Sequence, residues 1–120
     1  MTNQKARGTR AEVAVWDDLG TAGYDVIRSA ASKGASDLVA VHDGEVLFVQ
    51  VKLGAHDRPF KMPSPAERAE LIRIAERAKG FPVAVCVVPG AGARKQRILY
   101  RLLTGPGPRE CLTWTPRGPE

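Results

Sequence analysis

Asp37, Gln50 and Lys52 are the residues of this 120-residue chain whose types and spacing can do chemistry together. Between them lies Asp43-Gly44, a strong two-residue hairpin signal, because a type I′ turn needs positive φ at both central positions. With that turn His42 faces Glu45, so paired residue numbers sum to 87 and Asp37 falls opposite Gln50. Side chains alternate along a strand, which puts Lys52 on the same face two residues further on. An acid, an amide oxygen and an ammonium therefore converge at the open end of a hairpin that is otherwise almost all apolar. The bland alternative is a simple Asp37–Lys52 cross-strand ion pair.

A fourth group comes from the N-terminal segment. Val13, Val15, Trp16 and Leu19 recur at helical spacing, and stepping 100° per residue places Glu12 near the middle of their arc, with Arg10, Asp17, Asp18 and Thr21 behind it. A carboxylate turned inward needs a cation or hydrogen-bond donors. A divalent metal would satisfy Glu12 and Asp37 together. Hard cations such as Mg²⁺ take one or two carboxylates and retain waters, one of which they activate. Gln50 can add its side-chain oxygen and Val51 its backbone carbonyl, while Lys52 can polarise the attacking water or stabilise developing negative charge. These are the parts that phosphodiester hydrolysis requires.

The elements that must position these groups read as follows. A helix spans Gly8 to Gly23, capped by Thr9 and stopped by Gly20 or Gly23. Strands follow over Tyr24 to Ser29, Ser36 to His42 and Glu45 to Lys52. Residues 53–63 form a loop. Ser64-Pro65-Ala66-Glu67 is a capping-box pattern with proline at the first helical position, opening a helix that runs to about Lys79 with Gly80 as its stop. Pro82 to Val88 is an apolar run of strand length, suited to burial on both faces, and Arg97 to Leu103 is a further strand. Residues 1–104 read as one domain, and residues 105–120 as a tail in which Leu112 and Trp114 offer an edge strand.

Composition narrows the partners. The net charge is +5, residues 77–109 hold seven Lys or Arg and no acid, and residues 1–11 hold three and none. A polyanion is the natural partner for such a distribution. Lys5, Arg7, Arg10, Arg28, Lys33, Arg94, Lys95 and Arg97 are the candidate phosphate contacts, joined by Ser32. No run approaches the roughly 18 apolar residues of a membrane span, and no apolar run follows the N-terminus to serve as a signal peptide, so a cytoplasmic location is expected. Cys86 and Cys111 lack a zinc-like spacing and read as free thiols. His42 and His56 are lone histidines that read as surface or turn residues, and Trp16 reads as core.

Taken together, Asp37, twelve intervening residues and Gln50-Val51-Lys52 resemble the D…(D/E)-x-K signature of restriction-endonuclease-like nucleases. More narrowly, four stretches are similar to the archaeal-type Holliday junction resolvases: Gly8-Thr9-Arg10-Ala11-Glu12, Arg28-Ser29-Ala30-Ala31-Ser32-Lys33-Gly34, Ser36-Asp37-Leu38-Val39-Ala40 and Val49-Gln50-Val51-Lys52. The resemblance implies an α/β (α+β) fold, a mixed β-sheet flanked by helices in the order α-β-β-β-α-β-β. It also implies a homodimer, Mg²⁺ with Mn²⁺ as a substitute, and paired cuts in four-way DNA. It assigns metal ligation to Glu12, Asp37 and position 50, catalysis to Lys52, and an active-site contact to Ser32. Two departures stand out: Ser36 replaces the usual proline, and Gln50 replaces the usual glutamate, removing one negative charge. Alternatives are a restriction-like or repair nuclease acting on other DNA structures, and a DNA-binding module that has lost catalysis.

Overall fold

The computed structural model describes residues 4–28, 36–55, 60–90 and 95–116, with side chains from Arg10 onward. The elements run α1 (Gln4–Thr21), β1 (Asp25–Arg28), β2 (Leu38–His42), β3 (Glu45–Leu53), α2 (Pro65–Arg77), β4 (Phe81–Val88), β5 (Arg97–Leu103) and β6 (Cys111–Trp114). The six strands form one sheet in sequence order. Every neighbouring pair is antiparallel except β3 and β4, which are parallel because α2 carries the chain back across the sheet between them.

The hairpin register is as the sequence requires: His42 pairs with Glu45 and Leu38 with Val49. Asp43 and Gly44 both have positive φ, 45° and 79°, the geometry of a type I′ turn. Alternation along β3 then divides the two layers. Leu47 and Val49 join Ala11, Val15 and Leu19 of α1 in the main core, with Leu38, Ala40, Val83, Val85, Val87 and Tyr100. Phe48 faces the other way, toward a smaller core around Leu71 of α2, Ala84 and Leu103. Val83 to Val88 are buried throughout, as expected for a strand covered on both faces.

Four sequence expectations need correction. Helix α1 starts at Gln4, so Thr9 is interior to it and caps nothing. Its buried stripe is Ala11, Val15 and Leu19, whereas Val13 and Trp16 are 45% and 38% exposed. The large residues misplace the arc because the small Ala11 lies nearer its centre. Asp18 is also not on the polar back: it accepts a 2.6 Å hydrogen bond from the Tyr100 hydroxyl. At the end of α2 it is Lys79, with φ 57°, that adopts the left-handed conformation. Gly80 has a different duty, since a Cβ there would lie 2.7 Å from the Val46 carbonyl oxygen and 2.8 Å from the Phe48 ring.

The segment after β5 is tied down. Arg68 of α2 is 2% exposed, and its guanidinium donates to the carbonyls of Gly105 at 2.9 Å and Glu110 at 2.6 Å. The Glu110 carboxylate in turn accepts from the Gly107 N–H at 3.0 Å. The glycine-proline run is thus a bend that returns the chain as β6, where Trp114 meets Tyr100 edge-on at 5.5 Å. Both cysteines are free, and no described helix is long and apolar enough to cross a membrane.

Candidate active site

Asp37 sits immediately before β2, where that strand parts from β3. Its N–H donates to the Val49 carbonyl at 2.8 Å, and its Oδ2 accepts from the Val51 N–H at 2.8 Å. The carboxylate is therefore clamped through one oxygen to the backbone of residue 51. Ser36, standing where the resemblance expects proline, accepts from the Val49 N–H through Oγ at 3.1 Å. Its hydroxyl thereby satisfies a β3 donor where the ladder between the strands runs out.

Gln50 and Lys52 project from β3 on the face that α2 covers. Gln50 is 8% exposed, and its Oε1 has no hydrogen-bond partner among the described residues. A buried amide oxygen without a donor costs free energy that a bound cation would recover. Lys52 does not close a cross-strand pair with Asp37; its Nζ lies 3.0 Å from both carboxylate oxygens of Glu67 at the start of α2.

Glu12 arrives from the opposite side of the sheet. Its side chain is at the margin of the buried stripe and accepts from Arg28 Nε at 2.8 Å. Glu12 is close enough to affect Asp37 electrostatically. Burial pushes the Asp37 carboxyl above the ordinary range, the Val51 N–H opposes that shift, the negative charge of Glu12 adds to it, Lys52 counters it, and Glu67 adds a further small push upward. Desolvated, with acidic neighbours, Asp37 is a site that favours a cation.

The donor types suit a hard divalent ion: the Asp37 carboxylate bonded to the Val51 N–H, the Gln50 oxygen without a partner among the described residues, and Glu12 near enough to act on Asp37 electrostatically. Among the described residues no group of three or more His, Cys, Asp or Glu is arranged to hold a metal; position 50 contributes an amide oxygen rather than a carboxylate. Of the basic candidates, Arg10, Arg28, Lys95 and Arg97 are exposed. Arg10 lines an open groove of about 480 Å³ between α1 and the start of β5, with Gln96 and Ile98 across from it. None of Glu12, Asp37, Gln50 and Lys52 lines that groove. Ser32, Lys33 and Arg94, and the side chains of Lys5 and Arg7, lie outside the described residues. Glu67 was not among the sequence candidates, although its capping-box position marked it as a residue with a fixed rotamer.

A mixed sheet between two helices, with a hairpin that gathers an acid, an amide oxygen and a lysine at its open end, defines a nuclease of the restriction-endonuclease-like class. The archaeal Holliday junction resolvase (Hjc) family matches residues 3–105, and the chain belongs to that family. Among solved structures it is similar to Hjc of Archaeoglobus fulgidus, described as a Holliday junction resolvase from an archaeal hyperthermophile. The two share 26% identity with a TM-score of 0.59, over 77% of this chain and 70% of the other. A comparison with curated protein sequences gives no significant match. Resolvase nucleases of this family are metal-dependent.

Proposed function

We propose that this protein resolves four-way DNA junctions as a homodimer, by Mg²⁺-dependent hydrolysis of one phosphodiester at each of two symmetric sites. The observation that carries this reading is the buried, partnerless Gln50 Oε1 beside a desolvated Asp37, in a chain of the resolvase family. Asp37, Gln50, the Val51 carbonyl and Glu12 are the ligands, and Mn²⁺ substitutes for Mg²⁺. When bound, the ion supplies an activated water and charge compensation at the phosphate.

The chain's own residues do the rest. Asp37 is held in one rotamer by the Val51 N–H, so its free oxygen points into the site without reorganisation. Lys52 presents its ammonium to the non-bridging phosphate oxygens, where negative charge grows during attack. Arg28 donates to Glu12 at 2.8 Å and, exposed beside the site, would serve as a phosphate contact there. Lys5, Arg7, Arg10, Ser32, Lys33, Arg94, Lys95 and Arg97 contribute phosphate contacts that position the junction arms.

The test is a panel of end-labelled DNAs, namely a four-way junction, a linear duplex, a nicked duplex and a flap, incubated with Mg²⁺ or Mn²⁺. The expected result is paired, symmetric incision of the junction alone. Equal cutting of duplex or flap would replace the reading with a simpler nuclease. A catalytically silent DNA-binding module is the rival favoured by Gln50 and by the Arg28–Glu12 pair. Tight junction binding with no cleavage under either ion would establish that rival.

A further inference from the structure

We infer that Glu67 is a positioning residue for Lys52, coupling the N-terminal cap of α2 to the lysine of the active site; the inference rests on the nuclease reading above. The Glu67 carboxylate has two engagements. Oε1 accepts from the Ser64 N–H at 2.9 Å, while the Glu67 N–H donates to Ser64 Oγ at 3.2 Å, completing a reciprocal capping box. The same carboxylate holds the Lys52 ammonium at 3.0 Å.

The cap alone does not explain a glutamate here. Glutamine can also make the capping-box hydrogen bonds; the charge of a glutamate adds a modest interaction with the helix N-terminus and, beyond the helix, the ion pair with Lys52. Nor does stability explain it, because Glu67 is 39% exposed on its side chain and ion pairs at such positions contribute little. Lysine has a flexible four-carbon stem with several rotamers to lose. A carboxylate fixed to the helix backbone selects one of them before substrate arrives. The backbone bond to Ser64, followed by the Lys52 interaction, holds Glu67 below the ordinary carboxylate range, so it remains charged in that task.

The experiment compares Glu67→Gln, Ser64→Ala, Lys52→Ala and the double variant Lys52→Ala/Glu67→Gln on junction DNA with Mg²⁺. Glu67→Gln keeps the capping hydrogen bonds and loses only a modest helix-dipole interaction, so its Tm should fall by at most a few degrees and its junction Kd should match wild type while kcat falls about tenfold or more. Ser64→Ala should lower Tm yet keep kcat within about twofold at a temperature where it is folded. The double variant should be no slower than Lys52→Ala, since Glu67 acts only through the lysine. A metal-free readout accompanies these: the side-chain ¹⁵N spectrum should contain a slowly exchanging ammonium signal that vanishes in both Lys52→Ala and Glu67→Gln.

Wild-type kcat in Glu67→Gln, or an equal kcat loss in Ser64→Ala, would overturn the inference. So would an additive double variant, or an ammonium signal unchanged in Glu67→Gln. If wild type itself cuts nothing, the nuclease reading fails while the ammonium spectrum still decides whether Glu67 fixes Lys52.

Discussion

Asp37 has a carboxyl pushed upward chiefly by burial, and the sign of its effect on stability follows. A group whose folded pKa exceeds its unfolded value contributes stability that is fully present below the unfolded value, about 4 for Asp, and is lost as pH rises through the folded value. At neutral pH without metal, ionised Asp37 therefore costs stability. Asp37→Asn should melt above wild type at pH 7 without divalent ions, and the gap should close near pH 3. Adding Mg²⁺ should raise the wild-type Tm more than that of the variant. The variant should also lose cleavage while retaining junction affinity, because the basic surface is untouched; thermal melts and gel-shift titrations check both halves. Gln50→Glu adds a charge to the same point and should lower the Mg²⁺ concentration for half-maximal rate, whereas Gln50→Ala loses most activity. An unchanged Mg²⁺ requirement in Gln50→Glu would mean that residue 50 does not touch the ion.

Among the elements, the hairpin was legible in full, because a two-residue turn and strict alternation leave no freedom in which residues share a face. The capping box at Ser64 was legible for the same reason, being a local pattern. Glu12 was legible only in kind: its helix was evident, but the stripe was centred on large residues, and the true centre near Ala11 and Val15 emerges only when the sheet is in place. Two contacts were beyond sequence altogether. The Lys52–Glu67 pair depends on where α2 lands against β3, and the partners of Arg68 are main-chain carbonyls, which no residue type announces. Arg68 carries an element-scale prediction. Removing a buried guanidinium that satisfies two carbonyls should destabilise by about 2–4 kcal/mol in Arg68→Ala, read as a lower urea midpoint. Arg68→Lys should recover only part of this, since an ammonium cannot reproduce the planar fork that reaches both carbonyls.

At the scale of the whole molecule, one chain has one site, while two strands of a four-way junction must be cut. A C₂ dimer matches the pseudo-two-fold of that substrate and joins two basic faces into one. Val83 to Val88, Tyr100 and Leu103 are buried within the monomer and so offer no surface to a second copy. The exposed large apolar residues among those described are Val13 and Trp16 on α1, Ile27 on β1, Phe81 at the start of β4 and Leu112 on β6. Light scattering at micromolar protein should give about twice the chain mass. Mixing wild type with Asp37→Asn on a supercoiled cruciform plasmid should yield nicked circles from heterodimers, and mixtures that never nick would sink the paired-cut reading. The tight turn at Asp43 and Gly44 has one more consequence, for how this gene can change length. With β2 and β3 locked by that turn, inserting or deleting one residue within either strand would carry Asp37 or Lys52 to the α1 side, whereas a change of two would return each to its own face. Even that change would carry Asp37 or Lys52 roughly 7 Å along its strand, away from the Val51 N–H or the Glu67 carboxylate, so this stretch of the coding sequence is fixed in length as well as in face.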